Sequence, residues 1–210
     1  HVLRRRQRQM CIRDSHMNEF MNKLLETEKE DYVIACDTDS MYITLDKLVN
    51  KIFPENTDTE KIINWMDKAA KTQFEPFIDK CYARLAKQTN AYEQKMQMAR
   101  EALADKGIWT AKKRYALHVH NMEGVQYKEP TMKIMGLETQ RSSVPLACRS
   151  KMKEAIKLIM VADENALVDF VESFREEFKT LPFEDIAFPR GVRGLNTVSY
   201  THLRAHETQP

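Results

Sequence analysis

The stretch that most constrains the fold lies between residues 32 and 45, where two short apolar runs flank a polar tetrapeptide. Tyr32–Cys36 and Met41–Leu45 are rich in β-branched and aromatic residues, which suit pleated, half-buried strands. The four residues between them, Asp37-Thr38-Asp39-Ser40, include ordinary turn formers. The pattern therefore predicts a β-hairpin with two carboxylates at its tip.

The two carboxylates at this tip favour a cation site. Side chains at positions i and i+2 of an extended backbone point to the same face, so the charges of Asp37 and Asp39 would repel each other. A divalent cation relieves such repulsion. Mg²⁺ takes oxygen ligands and often uses one or two protein carboxylates, with substrate phosphates filling other positions. A solvated turn without metal is the alternative interpretation.

Three segments in this order and spacing carry a specific resemblance. They are Cys36–Tyr42, Ala111–Leu117, and Lys133–Gln140 followed by Ser142, Ser143 and Pro145. The first resembles the palm hairpin motif of family B DNA polymerases, and the second resembles their Lys-Lys-x-Tyr motif. The third is similar to the segment where the palm passes into the thumb in replicative polymerases of tailed phages. The resemblance covers about residues 17–196.

This resemblance implies an α+β fold, with an antiparallel palm sheet and covering helices followed by a mostly helical thumb lobe. Residues 17–138 would form the C-terminal part of the palm, and residues 139–196 part of the thumb. Residues 1–16 and 197–210 look like translated sequencing-adaptor sequence, so we expect them to be non-native tails. For residues 1–16, a basic arm that binds nucleic acid is the alternative.

The activity implied by the resemblance is that of a DNA-directed DNA polymerase, a nucleotidyltransferase. It adds deoxynucleotides to a primer 3′ end by two-metal-ion phosphoryl transfer. Asp39 matches the family carboxylate that binds both metals, and Asp37 matches its less firmly coordinated neighbour; both would be catalytic. Glu101 matches a further palm carboxylate near the metals, with an ordinary surface glutamate as the alternative. The implied cofactor is Mg²⁺, two ions in the complete enzyme.

The implied partners are primer–template DNA and deoxynucleoside triphosphates, with a sliding clamp possible only through parts outside this chain. Lys112, Lys113 and Tyr115 resemble the residues that hold the primer strand near its 3′ end, and Arg114 lies among them. Ammonium groups that meet phosphates position a duplex without reading its sequence. Taken alone, such a basic run is usually a solvated face. Arg190 and Arg193 lie in a basic, glycine-containing loop that either contacts the DNA backbone or is an ordinary surface loop.

Two parts of a family B active site are missing from the sequence. We find neither the aspartate of an earlier palm motif nor the basic residues of a fingers helix, so we predict that the chain alone is inactive. A non-catalytic DNA-binding module with a palm-like sheet is the alternative. The intact Asp-Thr-Asp-Ser speaks against it, since binding anionic DNA gains nothing from extra carboxylates. The two later motifs speak against a reverse transcriptase or a nucleotidyl cyclase.

Composition excludes few classes. Residues 17–196 carry a formal charge of −2, so any case for nucleic acid must be local. The four cysteines form no CxxC pair, which favours reduced thiols in the cytoplasm, here that of a phage host. No apolar run is long enough to span a membrane.

Periodicity predicts the remaining elements. We expect a helix over residues 17–30, a helix from residue 60 that Pro76 kinks or splits, and two antiparallel helices between residues 143 and 181. Alternation from Trp109 to His120 predicts two or three antiparallel strands within residues 96–125. His118 and His120 could bind a metal, but no Cys, Asp or Glu stands at partner spacing, so we expect solvent-facing strand histidines.

Overall fold

A computed structural model describes residues 15–37, 39–55 and 57–191 of the chain. The chain divides into two compact units, the first ending at Met135 and the second beginning at Gly136. The elements of the first unit are α1 (residues 15–25), β1 (Val33–Asp37), β2 (Ser40–Ile43), α2 (Asp46–Ile52), α3 (Thr59–Ala69), a π-helical segment (Ala70–Phe74), α4 (Glu75–Gln88), β3 (Ala102–Ala111), β4 (Arg114–Met122) and β5 (Val125–Met135). Helices and antiparallel strands occupy separate stretches, which confirms the α+β class.

The predicted hairpin is present and is anchored by α1. β1 pairs antiparallel with β2, and Asp37 lies opposite Ser40 at the tip. At the other end, the Asn18 side-chain oxygen accepts hydrogen bonds from the backbone N–H groups of Tyr32 at 2.9 Å and Val33 at 3.1 Å. Helix α1 thereby fixes where β1 begins.

A hydrophobic core lies beneath this hairpin. Its buried members come from α1, the residue before β1, α2 and the α3–π segment: Met17, Met21, Leu25, Tyr32, Leu48, Ala69, Ala70 and Phe74. Phe20 adds ring contacts to Phe74 and Phe77, with centroids 5.7 and 4.3 Å apart. The apolar stripe of α1 is therefore satisfied by packing under β1 and β2.

The expectation that Pro76 would interrupt the long helix is confirmed. Asp58 caps α3 by accepting a hydrogen bond from the Glu60 N–H at 3.2 Å, and α3 runs into the π-helical segment. There the Glu75 N–H donates to the carbonyl of Ala70. Pro76 then occupies the first turn of α4, the part of a helix that best tolerates its missing N–H.

The second sheet has the order β3-β4-β5, all antiparallel, as expected for two or three strands. The expectation of one alternating run from Trp109 to His120 is wrong. The chain reverses at Lys112 and Lys113, and Lys113 has a left-handed backbone with φ of 63°. The two lysines therefore lie in a turn, a position that side-chain alternation does not reveal.

The second unit contains a 3₁₀ turn (Glu138–Gln140) and the helices α5 (Leu146–Val161), α6 (Glu164–Phe178) and α7 (Phe183–Ile186). The predicted pair of helices is confirmed. Asp163 caps α6 by accepting a hydrogen bond from the Ala166 N–H at 2.9 Å. The short helix α7 was not predicted from the sequence. Lys151 on α5 pairs with Glu177 on α6 at 2.8 Å. Within the described part of the chain, no helix has the length and apolar character needed to cross a bilayer.

Candidate active-site cleft

The β1–β2 hairpin faces the β3–β4 turn across an open cleft of about 410 Å³. Both sides of the cleft belong to the first unit. Its lining combines one carboxylate, two ammonium groups and three aromatic rings. The lining residues are Ala35, Cys36, Asp37, Tyr42, Trp109, Thr110, Ala111, Lys112, Lys113 and Tyr115.

Opposite charges meet across this cleft. The Lys113 ammonium lies 3.8 Å from a carboxylate oxygen of Asp37, which is 25% exposed at the end of β1. Lys113 itself is 68% exposed. An ion pair this open contributes at most about 1 kcal/mol, because water screens it. The Lys113 side chain can therefore exchange its carboxylate partner for another anion at small cost.

The hairpin tip holds the second predicted aspartate in its turn. Asp39 is exposed between β1 and β2, two residues beyond Asp37. The Ser40 hydroxyl donates to the Asp37 backbone carbonyl at 3.2 Å, which closes the turn. Because Asp39 lies in the turn and not in a strand, the same-face expectation for two strand carboxylates does not apply to it. It is presented to solvent at the tip.

Three aromatic rings join the hairpin to the sheet. Tyr42 on β2 packs against Trp109 and Tyr115, with ring centroids 5.4 and 5.3 Å apart. Trp109 and Tyr115 are register partners on β3 and β4. Tilted and edge-on aromatic pairs each stabilise by about 0.5–1.5 kcal/mol beyond burial of area. Sequence reasoning singled out Tyr115 but missed Tyr42 and Trp109 as cleft residues, although Tyr42 belongs to the first motif.

The Trp109 indole packs over the backbone of Gly107. A Cβ atom at position 107 would lie 2.7 Å from two carbons of the indole and 2.8 Å from Leu117. Such distances are shorter than van der Waals contact allows. The absence of a side chain at Gly107 therefore sets the position of the indole.

The Tyr115 hydroxyl is held in its protonated form. Burial raises the pKa of Tyr115 strongly, and its hydrogen bond with Tyr42 raises this pKa further. The negative charges of Glu101 and Asp37 act in the same direction. Near neutral pH the hydroxyl is accordingly an O–H group that can donate a hydrogen bond.

The remaining predicted residues have different surroundings. The Glu101 carboxylate forms a close ion pair with Lys133 and is half exposed. Arg114 begins β4 and is partly buried, whereas Lys112 is exposed in the turn. Arg190 is exposed in the second unit, and Arg193 lies outside the described residues. The structure thus brings Asp37, Lys112, Lys113 and Tyr115 to one cleft.

The expectation that His118 and His120 face solvent is wrong. Only 11% and 14% of their side-chain areas are exposed, and both rings approach Asp105 on β3. Asp105 is thirteen residues before His118 in the chain, so short-range spacing gave no sign of it.

Comparisons with known proteins find similarity to phage DNA polymerases. A DNA-directed DNA polymerase of Enterobacteria phage T4 is 38% identical over 183 residues, which cover 81% of this chain and 20% of that polymerase. A DNA-directed DNA polymerase of Escherichia phage RB69 is 40% identical over 180 residues, with the same coverage of both chains. The chain spans about one fifth of the length of these relatives. No protein-family model matches it.

Over most of its length, this α+β chain with its acidic hairpin is therefore similar to one segment of phage DNA-directed DNA polymerases. These similarities are consistent with a fragment of a tailed-phage family B DNA polymerase.

Proposed function

We propose that the chain supplies the C-terminal part of the palm, residues 17–138, and part of the thumb, residues 139–196, of a replicative DNA polymerase. In the complete enzyme this segment would hold a primer terminus while deoxynucleotides are added to its 3′ end. The observation that carries the proposal is the meeting of the aspartate hairpin and the Lys112–Lys113 turn across one cleft. Carboxylates suit cations on one side, and ammonium groups suit phosphates on the other.

The hairpin fits a hard divalent cation, with Asp39 as the principal ligand and Asp37 as its neighbour. Asp39 is exposed in the turn, and Asp37 lines the cleft at the end of β1 with 25% of its side chain exposed, so solvent reaches both residues. Two carboxylates do not complete a site, which agrees with a Mg²⁺ pair that needs a further aspartate and substrate phosphates. When bound, two such ions would stabilise the attacking and leaving oxygens.

The chain's own groups would position the primer. Lys113 would leave Asp37 for a primer phosphate, Lys112 would contact the same strand, and the protonated Tyr115 hydroxyl would donate to an acceptor on it. Contacts of this kind are blind to sequence, as a replicative enzyme requires. Arg114, Arg190 and Arg193 are further candidates for backbone contacts. Glu101 is assigned to its ion pair with Lys133, which fits a supporting role better than direct metal binding.

The deciding experiment uses the complete polymerase that contains this segment. Asp39→Asn is expected to lower primer extension by at least about 100-fold, because several kcal/mol of charge stabilisation are lost. Affinity for primer–template DNA should stay within about twofold, since the variant removes no cationic contact. Primer extension and fluorescence anisotropy measure the two quantities. The matched control is Asp79→Asn, an exposed aspartate on α4.

Retained extension by Asp39→Asn would remove the metal-ligand assignment and favour the non-catalytic DNA-binding module. The 210-residue chain by itself is expected to give no extension, because one aspartate hairpin cannot align two metals. Incorporation above background by that chain would contradict the proposal of an incomplete active site.

A further inference from the structure

Asp105, His118 and His120 converge on one point of the β3–β4 sheet. The His118 Nδ1 atom lies 2.7 Å from Asp105 Oδ1, and the His120 Nε2 atom lies 3.3 Å from the same oxygen. The three candidate ligand atoms all lie within 4.8 Å of one another. The two imidazole rings meet edge to face, with centroids 5.4 Å apart.

Two irregularities of strand pairing create this convergence. Ala104 pairs with Val119 and Lys106 with His118, so Asp105 is an extra residue on β3. Leu103 pairs with Asn121, so His120 is an extra residue on β4. A bulge of this kind re-aims a side chain that regular alternation would send to the other face. Asp105 therefore reaches the face that His118 and His120 share.

The cluster is shielded on the histidine side and open on the carboxylate side. Asp105 is 39% exposed, whereas the histidine side chains are 11% and 14% exposed. The His120 Nε2 atom is inaccessible to solvent and has no well-aligned hydrogen-bond partner. The His120 Nε2 atom could coordinate a cation that enters past Asp105.

The donor set of two imidazole nitrogens and one carboxylate oxygen is typical of Zn²⁺ sites that keep a fourth position open. Mg²⁺ and Ca²⁺ prefer oxygen donors alone. Ligands about 2.0–2.1 Å from a tetrahedral ion are roughly 3.3 Å apart, which matches the His120–Asp105 separation. The His118–Asp105 contact is shorter, so binding requires the exposed carboxylate to withdraw slightly.

We propose that Asp105, His118 and His120 form a binding site for a borderline divalent cation such as Zn²⁺. This site is separate from the Asp37–Asp39 hairpin in both its residues and its ligand chemistry. Its bound ion would link β3 to β4 at the paired bulges and so stabilise the sheet whose turn carries Lys112 and Lys113.

The test uses the 210-residue chain, freed of metal by dialysis against a chelator. Isothermal titration calorimetry with Zn²⁺ is expected to give one site per chain that survives millimolar Mg²⁺. With Co²⁺ as the probe, visible absorption bands of a four-coordinate ion are expected. His120→Asn should weaken Zn²⁺ binding by more than about 100-fold, because even groups that only support a ligand contribute 10–100-fold.

Controls separate this site from other histidines. His16→Asn removes a partly exposed histidine of α1 and should leave the affinity unchanged. Replacing His1, His202 and His206 with Asn in all proteins removes the histidines outside the described residues. Asp105→Asn is a second variant in case His120→Asn does not fold, and circular dichroism checks both.

Equal Zn²⁺ affinity in the parent chain, His120→Asn and Asp105→Asn would overturn the proposal. So would displacement of Zn²⁺ by millimolar Mg²⁺, because a site with two nitrogen donors should resist it. Loss of affinity in both folded variants, with His16→Asn unchanged, would support the site.

Discussion

Arg100 makes polar contacts to three other elements of the first unit. Its guanidinium is 9% exposed, forms a close ion pair with Asp67 on α3, and donates to Asn121 on β4 at 2.7 Å. Its backbone N–H donates to the Glu75 carboxylate on α4 at 2.9 Å. One residue thus connects two helices to the sheet, next to Glu101, which the motif comparison had singled out instead.

Asp67 should make the free energy of unfolding depend on pH in the acidic range. The hydrogen bond from Lys71 lowers the pKa of Asp67 in the folded state, and the positive charge of Arg100 lowers it further against the effect of burial. Because the folded pKa lies below the unfolded value of about 3.9, this stabilisation is complete above that value. It is lost as the pH falls through the lower, folded pKa.

The measurement is urea unfolding of the 210-residue chain between pH 6 and pH 3. We expect Asp67→Asn to have a lower unfolding free energy near neutral pH and a smaller further loss toward pH 3 than the parent chain. Asp79→Asn should follow the parent curve. Parallel acid losses in the parent and Asp67→Asn would show that Asp67 contributes nothing to the pH dependence.

For single residues, the sequence predicted which side chains form the site better than it predicted the groups that contact them. The motif order located Asp37, Lys113 and Tyr115, and the structure brings all three to one cleft. The prediction that His118 and His120 face solvent was wrong, because their partner Asp105 comes from another strand and reaches them through a bulge. Such non-local pairing leaves no trace in short-range spacing.

For helices and strands, the sequence correctly indicated those features that depend only on nearby residues. Asp58 and Asp163 cap their helices through side-chain hydrogen bonds, and Pro76 divides the long helix. These effects act within one turn of the residue responsible, so the sequence contains them. The β3–β4 turn was missed because Lys-Lys offers none of the Gly or Asn that usually mark a left-handed position. Tertiary pairing of the flanking strands holds Lys113 there.

The β3–β4 turn leads to a prediction about DNA binding by the 210-residue chain. Lys113→Ala should weaken binding of primer–template DNA and reduce the slope of log affinity against log salt by about 1, since one phosphate contact is lost. Lys113→Arg should retain the slope. Fluorescence anisotropy at several salt concentrations measures it.

Lys61→Ala on α3 is the matched control, because Lys61 is exposed and does not line the cleft. A slope that is unchanged in Lys113→Ala, or reduced equally in Lys61→Ala, would refute a specific phosphate contact at the turn.

At the scale of the whole chain, the two units have unequal cores. The first unit has a buried cluster under the hairpin, and Ala116, Leu117 and Val119 are buried in its sheet. In the second unit α5 buries only Met160 and α6 buries no residue. Its helices rely instead on contacts such as that of Lys151 with Glu177 and the Phe174 ring. Little apolar burial implies low local stability.

Hydrogen exchange should reveal this difference in the 210-residue chain. We expect amides of α6 to have protection factors at least about tenfold lower than those of β4, because local opening of α6 exposes little apolar surface. Exchange detected by mass spectrometry on peptides from residues 114–122 and 164–178 measures both. Equal protection would mean that the second unit is stabilised by more than its visible contacts.

The glycine beneath the indole has a consequence for how the cleft can vary. Position 107 contributes to the cleft through its lack of a side chain, and both the Trp109 indole and Leu117 limit which residues fit there. A related chain with a larger residue at this position would have to shrink the partner at 109 to match. The shape of the cleft at Trp109 thus depends on residues 107 and 109 together.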